Sequence, residues 1–180
     1  MRFTRKRTGI EARLNRVEAT MLSSMASDLL ELLDDDVDAA EQDPLAALVG
    51  MPTGPVNRPS DPALVRLLPD AYTDDQDAAE FRRYTESDLR AAKRAQAAVM
   101  LASLGSVPAG GRVPLEPGQA DAWLGCLNDL RLILGSRMEV SEETDLYPEP
   151  DDPKFQGLEI YGWLGRLQES LLAHMQAGAR

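Results

Sequence analysis

Apolar side chains are densest from Ala122 to Gly135, Ala-Trp-Leu-Gly-Cys-Leu-Asn-Asp-Leu-Arg-Leu-Ile-Leu-Gly, where they fall on nearly every side of a helix. At about 100° per residue, Trp123, Leu127, Leu130 and Leu134 line one stripe. Leu124, Asn128, Arg131 and Leu132 fill the next flank. A helix that is apolar almost all round must be covered by neighbours, so this segment is predicted to be central. It carries an amide and a guanidinium into the covered space, and a buried charge requires a partner.

Around it the pattern predicts further helices. Asn15 and Glu18 have capping-box spacing, and Met21, Leu22, Met25, Leu29, Leu32 and Leu33 follow at helical period until the acids Asp34, Asp35 and Asp36 end the run. Asp43-Pro44 and Asp61-Pro62 each place a capping acid before a first-turn proline. They predict two short helices, separated by a loop containing Gly50, Pro52, Gly54, Pro55 and Pro59; the second runs from Ala63 to Leu68 and stops at Pro69. Asp74-Asp75 open the longest helix, which reaches about Leu104. Its predicted inner face is Phe81, Thr85, Ala92, Val99 and Ser103, with Leu89 and Gln96 beside it and Asp88 close to the same line. Arg82, Arg83, Arg90, Lys93 and Arg94 are expected on the other faces. A Gly/Pro-rich link from Gly105 leads to Glu116 and Pro117, which start the central helix.

The last helix is predicted from about Leu158 to Gln176, with Tyr161, Leu164, Gln168, Leu171, Leu172 and Met175 inward. Gly162 and Gly165 lower its propensity, so a neighbouring backbone is expected to approach them closely. Phe3 to Ile10 resembles a short hairpin turning near Thr8-Gly9. The fold class is therefore all-α: an irregular bundle of four main helices plus two short ones, with a small N-terminal β-hairpin, as one domain over 1–180.

Composition adds two constraints. Hydrophobic residues make up 43% of the 180, enough for a core without staples, but aromatics are only 5%, so Leu, Ala, Val and Met must do the packing. The net charge of −11 is unevenly spread. Residues 1–16 hold Arg2, Arg5, Lys6, Arg7, Arg13 and Arg16 against Glu11, a local +5 that leaves −16 for the remainder. Most of the surface should repel nucleic acid, and only Arg2, Arg5, Lys6, Arg7 and Arg13 at the basic start (1–14) favour a polyanion. A basic strand facing water, or pairing with the chain's own acids, is the preferred reading of that segment over a nucleic-acid arm. From Glu139 to Asp152 seven acids occur without a lysine or arginine; 139–156 is read as an extended, mobile acidic loop.

Candidate chemistry is sparse. One cysteine allows no intrachain disulfide and suits a reducing compartment; with no membrane-length apolar run and no signal pattern, the expected location is the cytoplasm. His174 and Cys126 are too few for a zinc site, the acidic loop lacks EF-hand spacing, and Gly110-Gly111 lacks the lysine and hydroxyl of a phosphate loop. No metal, cofactor or catalytic group is expected. Cys126, on the central helix, is expected to be a buried and inert thiol. Asn128, Asp129 and Arg131 leave two readings open. Arg131 holds an anionic ligand in a pocket, or it forms an internal pair with Asp88, Glu86 or Glu169 that fixes helix register, and the second is preferred.

Four segments carry a family resemblance. They are Asp61-Pro-Ala-Leu-Val-Arg-Leu-Leu-Pro-Asp-Ala-Tyr72, Glu80-Phe-Arg-Arg-Tyr-Thr-Glu86 with Leu89-Arg90 and Lys93, Trp123-Leu124 through Asn128-Asp-Leu-Arg-Leu132 with Leu134-Gly135, and Tyr161-Gly-Trp-Leu-Gly-Arg-Leu-Gln-Glu169. In order and spacing they resemble the actinobacterial family of AosR-like oxidative stress transcriptional regulators, long labelled a domain of unknown function. The resemblance implies a small helical cytoplasmic regulator that acts on transcription under oxidative stress through a sigma factor or RNA polymerase. An intramolecular dithiol switch needs two cysteines. Redox sensing by Cys126 would therefore take an intermolecular disulfide or one-thiol oxidation. The resulting expectation is a non-enzymatic regulator that contacts a protein partner in transcription, away from membranes, with the basic start and the acidic loop as its surfaces. Two alternatives remain: direct DNA binding through the basic N-terminus, and an anionic-ligand binder or enzyme anchored by Arg131 and Asn128.

Overall fold

The computed structural model describes residues 1–35, 57–146 and 148–177. Strands β1 (Arg2–Lys6) and β2 (Gly9–Leu14) lead into helix α1 (Arg16–Asp35). Helices α2 (Pro62–Leu67) and α3 (Asp75–Gly105) follow, then strand β3 (Gly111–Leu115), α4 (Pro117–Arg137) and α5 (Phe155–Gln176). The short helix expected after Asp43-Pro44, and Gly50, Pro52, Gly54 and Pro55 of the loop behind it, lie outside the described residues.

Helix α4 is the axis. It packs against α5, α3 and α2 and also touches α1 and the strands β2 and β3. Trp123, Cys126 and Leu127 have no exposed surface, and Leu130 almost none. The predicted starts hold because each supplies acceptors for orphan N–H groups. The Asn15 side chain accepts from the Glu18 N–H at 2.9 Å while Glu18 accepts from the Asn15 N–H at 2.8 Å. Asp61 caps α2 through the Ala63 N–H, Asp74 caps α3, and Glu116 with Gln119 closes a capping box over Pro117.

The description all-α needs correcting. The molecule is mostly helical but includes a three-stranded antiparallel sheet ordered β1-β2-β3. The expected hairpin is present, with Lys6 opposite Gly9, so its two-residue turn is Arg7-Thr8, one residue earlier than predicted. Strand β3 lies in what the sequence suggested was a Gly/Pro-rich link. Pro114 lacks a backbone donor and is tolerated because β3 is an edge strand. Gly110 just before it is required: its φ is +82°, and a Cβ there would lie 2.6 Å from the Asn15 carbonyl carbon. Strand β3 is thereby held against the start of α1. Phe3, Ala12 and Val113, aligned across the three strands, are buried toward the helices.

The inner face of α3 is also different from the one expected. Ala78, Arg82, Arg90, Ala97, Met100 and Leu104 are buried, whereas Phe81 is 41% and Leu89 38% exposed. Bulk suggested the Phe81 stripe; packing selects small alanines and the aliphatic stems of arginines, whose charged ends find partners at the helix ends around them. On α5, Leu158, Leu164, Leu167 and Leu171 are buried, and Leu172, expected inward, is exposed. Residues 138–146 and 148–154, between α4 and α5, are turns, bends and irregular backbone, with Glu139 at a φ of 56°.

Candidate functional site

The polar residues of the central helix divide between two seams. On the α5 side, Arg131 Nη1 lies 3.5 Å from Gln168 Oε1, and Gln168 Nε2 donates to Asn128 Oδ1 at 3.2 Å. The guanidinium carbon sits 4.9 Å from the Tyr161 ring centroid, a cation–π arrangement. Arg131 Nε is buried with no hydrogen-bond partner among the described residues. Gly165 meets this guanidinium rather than a backbone: a Cβ there would lie 3.7 Å from Arg131 Nε. Gly162 would meet only Arg166 of its own helix. The expectation of close backbone approach at these glycines is thus replaced by approach of an arginine at Gly165.

The expected link from Arg131 to an acid is also corrected. Asp88 is exposed on α3, Glu86 binds Arg90, and Glu169 is exposed on α5. Asn128 and Arg131 are brought together through Gln168, without Asp88. The sequence signal for Gln168 was present, since it lay on the predicted inner stripe of the last helix.

The second seam lies between α4, α3 and α1, and it joins Asp129 of the central helix to basic residues that the sequence reading placed away from the inner face of α3. Asp129 is only 2% exposed and accepts from Lys93 Nζ at 2.7 Å. Burial pushes the Asp129 carboxyl above its ordinary value, against the pull of the Lys93 hydrogen bond and charge and of Asn128. Arg90 is buried against Glu86 at 2.8 Å and donates to the Leu33 carbonyl at 3.0 Å. Arg94 donates to the same carbonyl at 2.8 Å and pairs with Asp34. Two guanidiniums thus complement the negative end of α1, which has no basic residue of its own in its last turn. Arg82 binds Asp70.

Cys126 lies beside the Lys93–Asp129 pair with 0% exposure and is a free thiol. Burial, with the Asp129 carboxylate adding to it, pushes this thiol up to about 12. A thiolate is the reactive form, so the group is held away from oxidants both by packing and by protonation. His174 is half-buried, its Nδ1 2.7 Å from the Ser170 carbonyl.

The basic start is part of the sheet. Arg5 donates to the His174 carbonyl at 2.7 Å, tying β1 to the end of α5, and Lys6 pairs with Glu11 at 3.5 Å. Arg2, Arg7 and Arg13 are exposed. Among the described residues no group of three His, Cys, Asp or Glu is placed to hold a metal, and no helix is long and apolar enough to cross a membrane.

Known proteins place this chain in a family. Residues 1–175 match the family described as Domain of unknown function (DUF2017). The chain belongs to DUF2017. Relatives named oxidative stress regulator AosR, from Mycobacterium bovis and Mycobacterium tuberculosis, are 35% identical over 170 residues, covering 86% of this chain and 77% of theirs. A Mycobacterium leprae relative is 33% identical over 174 residues, 89% of this chain and 79% of its own. The resemblance carried by the four segments is therefore borne out. No solved structure matches this DUF2017 chain.

Proposed function

We propose that this chain is a regulatory protein of the oxidative stress response that works in the cytoplasm, without enzymatic chemistry, through contacts with a protein of the transcription machinery. The observation that carries the reading is the identity of 33–35%, across most of the chain, to relatives named for oxidative stress regulation. The thiol chemistry fits a role downstream of the oxidant: Cys126 is fully covered and its proton is held tightly. The oxidant signal then reaches this protein through a partner or through its abundance. The test is crosslinking and mass spectrometry on cells expressing the tagged chain, with and without peroxide. Enrichment of RNA polymerase or a sigma factor supports the proposal, and their absence from both samples overturns it.

A second reading is favoured by Arg131, whose guanidinium is held by a ring face and an amide, with no carboxylate paired to it among the described residues. Under it, Arg131 and Asn128 anchor a small anionic ligand. Thermal melts against a panel of anionic metabolites test it. A rise in Tm that vanishes in Arg131→Met supports the site; a flat panel removes it.

A further inference from the structure

The register of the sheet lines up three arginines. Arg2 is opposite Arg13 in β1–β2, and Arg13 is opposite Arg112 in β2–β3. Alternation puts all three on the face away from the core, because their neighbours Phe3, Ala12 and Val113 are the buried ones. Directly opposite Cα atoms are about 5 Å apart, so the backbone positions of the three arginines span roughly 10 Å on one face of the sheet. All three residues are exposed, and none has a side-chain hydrogen bond or ion pair among the described residues. The one acid of the next outward row, Glu11, is already paired with Lys6. Like charges directly opposite one another destabilise a sheet, so this row is unfavourable until an anion lies across it. Beside it opens a hollow of about 540 Å³ between Arg2, Arg13 and Glu18, whose carboxylate is taken by the Met1 ammonium.

We infer that this outer face of the sheet, through Arg2, Arg13 and Arg112, is the docking surface for an acidic segment of a partner protein. A guanidinium takes a carboxylate in a two-point, charge-assisted pair. An extended peptide presents same-side residues every ~7 Å, so a segment laid across the strands sets two or more carboxylates over the row. Nucleic acid fits less well. Three phosphate contacts correspond to a salt slope of only about −2.7, and the chain beyond residue 16 carries −16. The inference names the partner chemistry for the regulatory reading above and rests on it. It is separable from it: a transcription partner crosslinked in cells that contacts another face leaves that reading intact and removes this surface.

The test uses the purified full chain and a fluorescein-labelled peptide of about a dozen alternating glutamate and serine residues, read by anisotropy. Saturable binding is expected, weakened at least tenfold by Arg13→Glu or Arg112→Glu and little changed by Arg66→Glu, an exposed arginine on α2. Arg13→Gln and Arg112→Gln guard against misfolding. They should keep the helical spectrum, hold or raise Tm by relieving repulsion, and still weaken binding. The inference falls if the peptide does not bind, if the sheet variants bind as well as the unaltered chain, or if duplex DNA binds more tightly than the peptide and is lost in the same variants.

Discussion

Two side chains of the central helix show how burial sets chemistry. Burial holds the Cys126 thiol up at about 12, so near neutrality its thiolate fraction is far below that of an ordinary exposed thiol. Native protein should therefore react with a thiol reagent at least a hundredfold more slowly than urea-unfolded protein, because the thiol is both covered and protonated. Comparable rates would show that the helix opens readily. Asp129 and Lys93 form a buried pair whose cost of desolvation competes with its attraction. Asp129→Leu and Lys93→Met should each cost about 3 kcal/mol by leaving a lone buried charge, while the double variant recovers most of the loss in denaturant melts. Because the folded-state carboxyl of Asp129 lies above its unfolded value, its ionisation costs stability as pH rises from about 4 through the folded value. The acid itself was legible beside Arg131 in the sequence, but its partner was not. Lys93 sits 36 positions away on a face that bulk alone marks as solvent-facing.

Helix starts were the most legible elements, because a cap is local chemistry between residues two or three apart. Asp61 illustrates this and adds a tertiary contact, pairing with Arg137 at the end of α4. Burial works upward on its carboxyl, but Arg137 and the N–H groups of Ala63 and Leu64 outweigh it and hold the value below 3.8. Stability from this group is present above the ordinary carboxylate range and lost as pH falls through the folded value. Asp61→Asn should thus be less stable than the unaltered chain at pH 7, with the gap closing toward pH 2 in melts across that range. Strand β3 was illegible for the opposite reason: it is made by pairing with β2, 97 or more positions away, and Pro114 and Gly110 disguise it. Gly110→Ala should cost more than about 1 kcal/mol, since it adds strain at positive φ to a clash with α1's entry. A chemical melt equal to that of the unaltered chain would refute the fixed junction.

For the whole molecule, the basic start is a structural layer. Phe3 is 3% exposed and Arg5 ties β1 to α5, so deleting residues 1–8 removes core surface as well as charge. Burial of one Phe is worth about 1.5–3 kcal/mol, and the edge of β2 is uncovered too. Tm should fall by roughly 5 °C or more for a chain of this size, measured by circular dichroism; an unchanged Tm would return the segment to the status of an arm. By itself the sequence determined the number of the main helices, the starts of those that are capped, the centrality of α4 and the family, since periodicity, caps and motifs are properties of neighbouring residues; the last helix, uncapped, begins at Phe155, earlier than its apolar pattern indicated. Tertiary structure alone decided which face of α3 is inward, which charges pair, and that three arginines share one row. Those outcomes depend on contacts between residues far apart in the chain, where packing volume and the partners available at helix ends outweigh local hydrophobicity.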